Sequence, residues 1–220
     1  MDILELFNSL AKFIHDGGFF MWLILIVWAI GIAICFERFN KLAFKYDVDG
    51  ASFMNELQRY ILSNDIQGAI RACSGSLALL PKVLKSGLKR STSSSEQIQN
   101  ALDATTLEVI PKVELRISHL NLIANISTLI GLLGTVHGII LTFTAISAAD
   151  PAQKAEVLSR GISEAMNCTF LGLISAISML IAHALLSSKA DKIINEIDEY
   201  SVKFLDLMGT KNYKKEEEEA

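Results

Sequence analysis

Apolar and polar positions alternate along this chain in blocks. Residues 17–36, 117–149 and 165–188 contain no Asp, Glu, Lys or Arg, so the 20 Lys and Arg and the 24 Asp and Glu all fall elsewhere. At about 1.5 Å per residue, a charge-free run of about 20 residues lets one helix cross a hydrocarbon core about 30 Å thick. The pattern predicts three transmembrane helices. In the charged segments the apolar positions follow a helical period instead. Residues 53–61 and 65–73 read as two short amphipathic helices, punctuated by Pro81 and Gly87. Ser93-Ser94-Ser95-Glu96 has the S-x-x-E spacing of a capping box, and Ile98, Leu102, Thr105 and Val109 continue a stripe that Pro111 is expected to kink. After the third window, Ile193, Ile194, Ile197, Tyr200 and Phe204 keep the helical period, so that helix is expected to protrude from the membrane. With no strand alternation or internal repeat in the sequence, the expected fold is all-α: an integral membrane protein with three transmembrane helices and long helices extending into the cytoplasm.

Residues 1–15 place Ile3, Leu6, Phe7, Leu10, Phe13 and Ile14 on one face, which fits either an interfacial helix or a frayed terminus. Asp2, Glu5 and Asp16 against Lys12 reverse the charge of a signal-peptide n-region, so the first window is expected to be an uncleaved span. Basic residues near span ends are retained in the cytoplasm. Arg38, Lys41, Lys45, Lys112, Arg116, Lys189 and Lys192 lie on one side, and Lys12, Lys154 and Arg160 on the other. This assigns residues 1–16 to the outside, 17–36 to span one, 37–116 to a cytoplasmic helical loop and 117–149 to span two with a cytoplasmic extension. Residues 150–160 form an outer loop, 161–188 hold span three, and 189–220 make a cytoplasmic helix and acidic tail.

The apolar windows are not uniformly apolar. Gly131, Gly134, Thr135, Gly138 and Thr142 share one helical face in span two, and small residues at that spacing let a second helix approach closely. Helix packing alone accounts for the glycines. The same window also carries Asn121, Asn125, Ser127, Thr128 and His137, groups that must face protein or water. As a helix the window is about 50 Å long, so its cytoplasmic end, including His119, is expected to leave the bilayer. Span three repeats the device with Ala165, Cys168, Thr169, Gly172, Ser175, Ala176 and Met179; Glu164 and Asn167 lie at its outer end and His183 at its inner end. Glu164 reads either as an interfacial carboxylate favoured by the helix dipole, or as a channel-mouth or intersubunit group that concentrates cations. His137 and His183 are isolated and read first as hydrogen-bonded packing residues. No Asp, Glu, Lys or Arg sits in the middle of any span, so if ions cross here the acid that carries them is expected from another chain.

Composition closes off other classes. A formal net charge of −4 points away from nucleic acid. Cys35, Cys73 and Cys168 lack the spacing of a disulfide framework or metal site, so no cofactor or metal is expected. The glycine-rich run 131–138 lacks the Gly-Lys-Ser/Thr of a phosphate loop, and no nucleophile elbow is present, which leaves soluble enzyme chemistry without support.

Gly131-Leu-Leu-Gly-Thr135-Val-His-Gly138-Ile-Ile, followed by Gly161-Ile-Ser-Glu164-Ala-Met-Asn-Cys-Thr169-Phe-Leu-Gly172-Leu, resembles the MotA/TolQ/ExbB proton-channel family on its ExbB/TolQ side. The resemblance covers nearly the whole chain and includes Glu37-Arg38; three spans rather than four argue against the flagellar MotA branch. It implies a homopentamer in the bacterial inner membrane around a dimer of a single-span ExbD/TolR-like partner, whose transmembrane aspartate carries the proton. By that resemblance Thr135 and Thr169 face the partner's aspartate along the proton path, and Glu164 is the family's glutamate near the outer end of span three. Ser127, Thr128, His137, Thr142 and Asn167 would add polar lining, and Gly131, Gly134, Gly138 and Gly172 would pack the helices. The chain departs from the family at Ser127-Thr128, where Ala-Pro is common, and at His137, commonly bulky and apolar, which makes His137 a local proton relay or a packing variation. The expected function is a proton-motive-force-driven motor subunit. A non-conducting membrane scaffold and a solute transporter acting alone are the competing classes.

Overall fold

The computed structural model describes residues 18–219 together with Glu5, Phe13 and Ile14, and side chains as far as Thr210. The interfacial helix expected over residues 1–15 therefore lies outside the described residues, those three apart. The described residues are helical without strands: α1 Gly18–Asn40, a π-helical turn Lys41–Lys45, α2 Gly50–Leu62, α3 Ile66–Ser74, α4 Leu79–Leu88, α5 Ser95–Glu114, α6 Ile117–Ala148 and α7 Lys154–Glu219. Three of the helical stretches are long and apolar enough to cross a membrane, one in each charge-free window. The chain forms two compact units.

The spanning unit comprises residues 1–36 and 116–185. Its interior is small: Met21 and Ile24 of α1 pack with Cys168 and Leu171 of α7. Gly31 lets α1 approach Ile123 and Met179, and the Trp28 indole N–H donates to Ser178 Oγ at 2.9 Å. Most other large apolar side chains of this unit point outward, as they do when lipid or a neighbouring subunit is the solvent.

The charged unit comprises residues 37–115 and 186–220 and buries its apolar stripes in the ordinary way. Asp49 and Asp65 cap α2 and α3 by accepting the backbone N–H groups of Ser52 and Gly68, which fixes where each helix starts. Phe53, Met54, Leu57 and Ile61 then turn one face of α2 inward, while Ile98, Leu102, Val109 and Val113 do the same for α5. Ile193, Ile197 and Phe204 extend the apolar face of α7 into this core. Cys73 is buried in it, and desolvation pushes its thiol up to about 11. Arg38 is fully buried; one terminal nitrogen donates to the Lys112 carbonyl at 3.3 Å and the other to Glu37 at 3.5 Å.

Two local expectations are corrected. Pro81 and Gly87 do not punctuate: both lie inside α4. Pro81 is in the first turn, where its missing N–H has no intrahelical partner to lose. Gly87 is there because a Cβ would stand 2.7 Å from Phe204 and 2.9 Å from Leu102. The cap of α5 is Ser94 rather than Ser93, accepting the Gln97 N–H at 3.4 Å, so the capping spacing in use is Ser-x-x-Gln. Pro111 lies inside α5, which continues to Glu114; the donor it lacks would bond the carbonyl of Leu107, on a side open to water. The break falls at Leu115, which is extended, and Arg116, which takes the left-handed φ of 63°. α7 begins at Lys154, within the stretch 150–160 read as the outer connection.

Candidate functional site: a hydroxyl pair at a glycine crossing

Where α6 crosses α7 the two backbones nearly touch. A Cβ on Gly172 would lie 2.8 Å from the Ser127 carbonyl oxygen and 3.0 Å from Gly131 Cα; one on Gly131 would lie 3.2 Å from the Cys168 carbonyl oxygen. Gly134 and Gly138 extend the crossing toward the end of α6, with Cβ positions 2.9 Å from the Cβ atoms of Cys168 and Ala165 respectively. No larger residue fits along this line without moving backbone.

The close approach brings two hydroxyls from different helices together. Thr135 and Thr169 are half-buried, and their Oγ1 atoms are hydrogen-bonded to each other. Thr135 Oγ1 also lies 3.1 Å from the Gly131 carbonyl and 3.2 Å from that of Ala165, while Thr169 Oγ1 lies 3.2 Å from the same Gly131 carbonyl. Each hydroxyl has one proton and several acceptors within reach, so each can redirect its O–H at small cost. A carboxylate arriving beside the pair would find donors already in place. Such bonds strengthen in a medium of low dielectric.

The other polar residues divide between lining and packing. Thr142 is buried, donates to the Gly138 carbonyl at 2.7 Å and nests against Gly161. Thr128 is at the surface and donates to the Ala124 carbonyl at 3.1 Å. Ser127 is fully buried with no hydrogen-bond partner for its hydroxyl, directly beside the Gly131–Gly172 contact. Ser175, also fully buried, donates to the Gly172 carbonyl at 3.0 Å. Asn167 is half-buried. Glu164 and His137 line one cleft of about 210 Å³ with Gly18, Phe20, Gly138 and Cys168, and the His137 ring lies 5.2 Å from that of Phe20.

Two features were not anticipated from sequence. The Trp28–Ser178 hydrogen bond needs a partner 150 positions away, and the only signal was an indole N–H in an apolar window that must find an acceptor. The burial of Arg38 is equally tertiary; its sequence offered an ordinary basic residue at a span end. Among the described residues no group of His, Cys, Asp and Glu is arranged to hold a metal ion.

Comparisons with known proteins bear on this same segment. The chain is 23% identical over 197 residues to a putative biopolymer transport protein ExbB homolog of Methanothermobacter thermautotrophicus, covering 89% of this chain and 69% of that one. It is 38% identical over 96 residues to the Tol-Pal system protein TolQ of Haemophilus influenzae, covering 42% of each chain. With the biopolymer transport protein exbB1 of Vibrio cholerae it shares 36% identity over 88 residues, 40% of this chain and 38% of that one. Residues 76–199, more than half of the chain and including Thr135, His137, Glu164 and Thr169, match the family described as MotA/TolQ/ExbB proton channel. With three helices able to cross a membrane and a polar crossing between two of them, this chain belongs to the MotA/TolQ/ExbB proton channel family.

Proposed function

We propose that the chain is the wall subunit of a proton-driven motor in the bacterial inner membrane. Its copies, five by family resemblance, surround a dimer of a single-span ExbD/TolR-like partner. The N-terminus is outside and the C-terminus in the cytoplasm. One observation carries this reading: the Thr135–Thr169 hydroxyl pair, set by a glycine crossing in a region whose middle holds no acid of its own.

The partner's aspartate supplies the missing charge. Ionised, it needs donors, and the two hydroxyls turn from the Gly131 and Ala165 carbonyls to meet it. Protonated, it no longer requires them and passes over the apolar wall at much lower cost. A membrane potential of 100 mV contributes about 2.3 kcal/mol per charge, enough to bias states separated by a few kcal/mol. Repeated in each subunit, this alternation turns one ring relative to the other. The output is an envelope process such as TonB-type import, Tol function or motility. The charged unit is the stationary body.

Valine matches threonine in volume without the hydroxyl. In proteoliposomes holding the chain and its partner, Thr135→Val and Thr169→Val are each expected to lower proton flux about a hundredfold, the scale of losing one donor to a developing or resident oxyanion. The complex should remain assembled on size-exclusion chromatography. Unchanged flux in both variants overturns the motor reading and favours a non-conducting scaffold, in which the crossing only packs helices.

A further inference from the structure

Between Asp65 and Glu96 the chain carries no acid, only Arg71, Lys82, Lys85, Lys89 and Arg90, although its formal net charge is −4. Basic residues beside a span are expected of any membrane protein, but this run flanks no span in the sequence. The fold returns its first lysine to the end of α1. Lys82 and Lys112 both donate to Glu108, at 2.8 and 2.6 Å, and the Lys112 carbonyl accepts from Arg38 of α1. The Leu79 N–H donates to the Tyr46 carbonyl at 3.5 Å, which ties the start of α4 to the residue after the π-helical turn Lys41–Lys45.

Around these contacts the charged unit departs from its habit of burying apolar side chains. Phe44 is 79% exposed, Leu77 77% and Leu107 73%, the three most exposed large apolar side chains among the described residues. Each lies within two positions of a residue that makes one of the contacts: Tyr46, Leu79 or Glu108. The charge of the patch is positive on balance. Arg38 and Lys41 answer Glu37, Lys82 and Lys112 answer Glu108, and exposed Lys45 adds a further cation beside Phe44.

We propose that this patch is a docking face for anionic phospholipid. Phe44, Leu77 and Leu107 enter the interfacial layer, and Lys45, Lys82 and Lys112 hold headgroup phosphates. The proposal goes beyond the motor reading and does not depend on it. Lysines interleaved with large exposed apolar groups suit a surface that is anionic outside and hydrocarbon within. An acidic protein segment would satisfy the lysines, but the chain itself brings lipid close: Phe44 lies eight residues past Phe36, the last residue of the first charge-free window, about 12 Å of helix.

The test places a tryptophan in the patch by Phe44→Trp in the full chain, reconstituted in phosphatidylcholine vesicles. A rising share of the lipid is replaced by acyl-brominated phosphatidylglycerol or acyl-brominated phosphatidylcholine, and the emission of the unaltered chain is subtracted. The brominated anionic lipid should quench the added tryptophan at about a fivefold lower mole fraction than the zwitterionic one, the enrichment one lysine provides at an anionic surface. Adding Lys45→Gln with Lys82→Gln should remove that preference, whereas Lys45→Arg with Lys82→Arg should keep it. Equal quenching by the two lipids overturns the proposal, as does a preference that survives the glutamine pair. Absence of quenching by either lipid also overturns it, because a second copy or another protein then covers the face.

Discussion

Among the described residues, 24 hydrophobic residues are buried and 7 large ones are exposed in the unit built from residues 37–115 and 186–220; in the unit built from residues 1–36 and 116–185 the figures are 11 and 25. The two units share helices α1 and α7, so the difference lies in what each unit packs against. The charged unit excludes water with its own side chains. The spanning unit buries a smaller apolar set, including Met21, Ile24, Leu120 and Met179, adds glycine, alanine and hydroxyl contacts where α6 crosses α7, and turns most of its large apolar side chains outward. Burial within one chain is therefore a poor measure of how well the spanning unit is folded. Its specificity comes from close backbone approach and from hydrogen bonds.

The sharpest test substitutes one leucine in each unit. Leu57 is fully buried in the charged unit, so Leu57→Ala should cost about 2–5 kcal/mol in denaturant unfolding of that unit. Leu132 in the spanning unit is 56% exposed, and Leu132→Ala should leave unfolding within about 0.5 kcal/mol. Equal losses would break the comparison. A second pair concerns glycine. Gly172→Val meets two backbone positions that cannot yield, and should cost about 1–3 kcal/mol and open the α6–α7 crossing. Gly209 has nothing within 4 Å of a Cβ, so Gly209→Ala should stabilise its helix by up to about 1 kcal/mol, read by thermal unfolding.

The smallest effect concerns the surface of the charged unit. Hydrogen bonds from Lys112 and Lys82 hold the Glu108 carboxyl down at about 2. A carboxyl lowered on folding favours the folded state above its ordinary range near 4.5, and that contribution fades as pH falls from there toward 2. Unfolding measured at pH 7 and pH 3 should differ slightly less for Glu108→Gln than for the unaltered chain, and the difference should shrink in high salt. A variant as acid-sensitive as its parent would remove this ion pair from consideration.

Much of the architecture was legible because membrane spanning is written in absent charge, and absence over about 20 residues is hard to mistake. The amphipathic stripes of α2, α3 and α5 were legible for a similar reason, since Phe53, Leu57 and Ile61 or Ile98, Leu102 and Val109 repeat at the helical period. What failed was punctuation. Pro81 and Gly87 look like breaks in one dimension, but whether a proline breaks a helix depends on its place in the first turn, and whether a glycine does depends on Phe204, more than 100 positions away. The meeting of Thr135 with Thr169 sits between these cases. The glycine spacing marked the face on each helix; only the crossing showed that both hydroxyls share the Gly131 carbonyl.

The Trp28–Ser178 hydrogen bond makes the protein its own spectroscopic probe. Both tryptophans belong to α1, but Trp22 is 57% exposed while Trp28 is half-buried and tied to α7. Lipid-soluble quenchers should reach Trp22 first and leave a residual emission belonging to Trp28. The wavelength of that residue of light reports, without any label, whether α1 is still docked on α7.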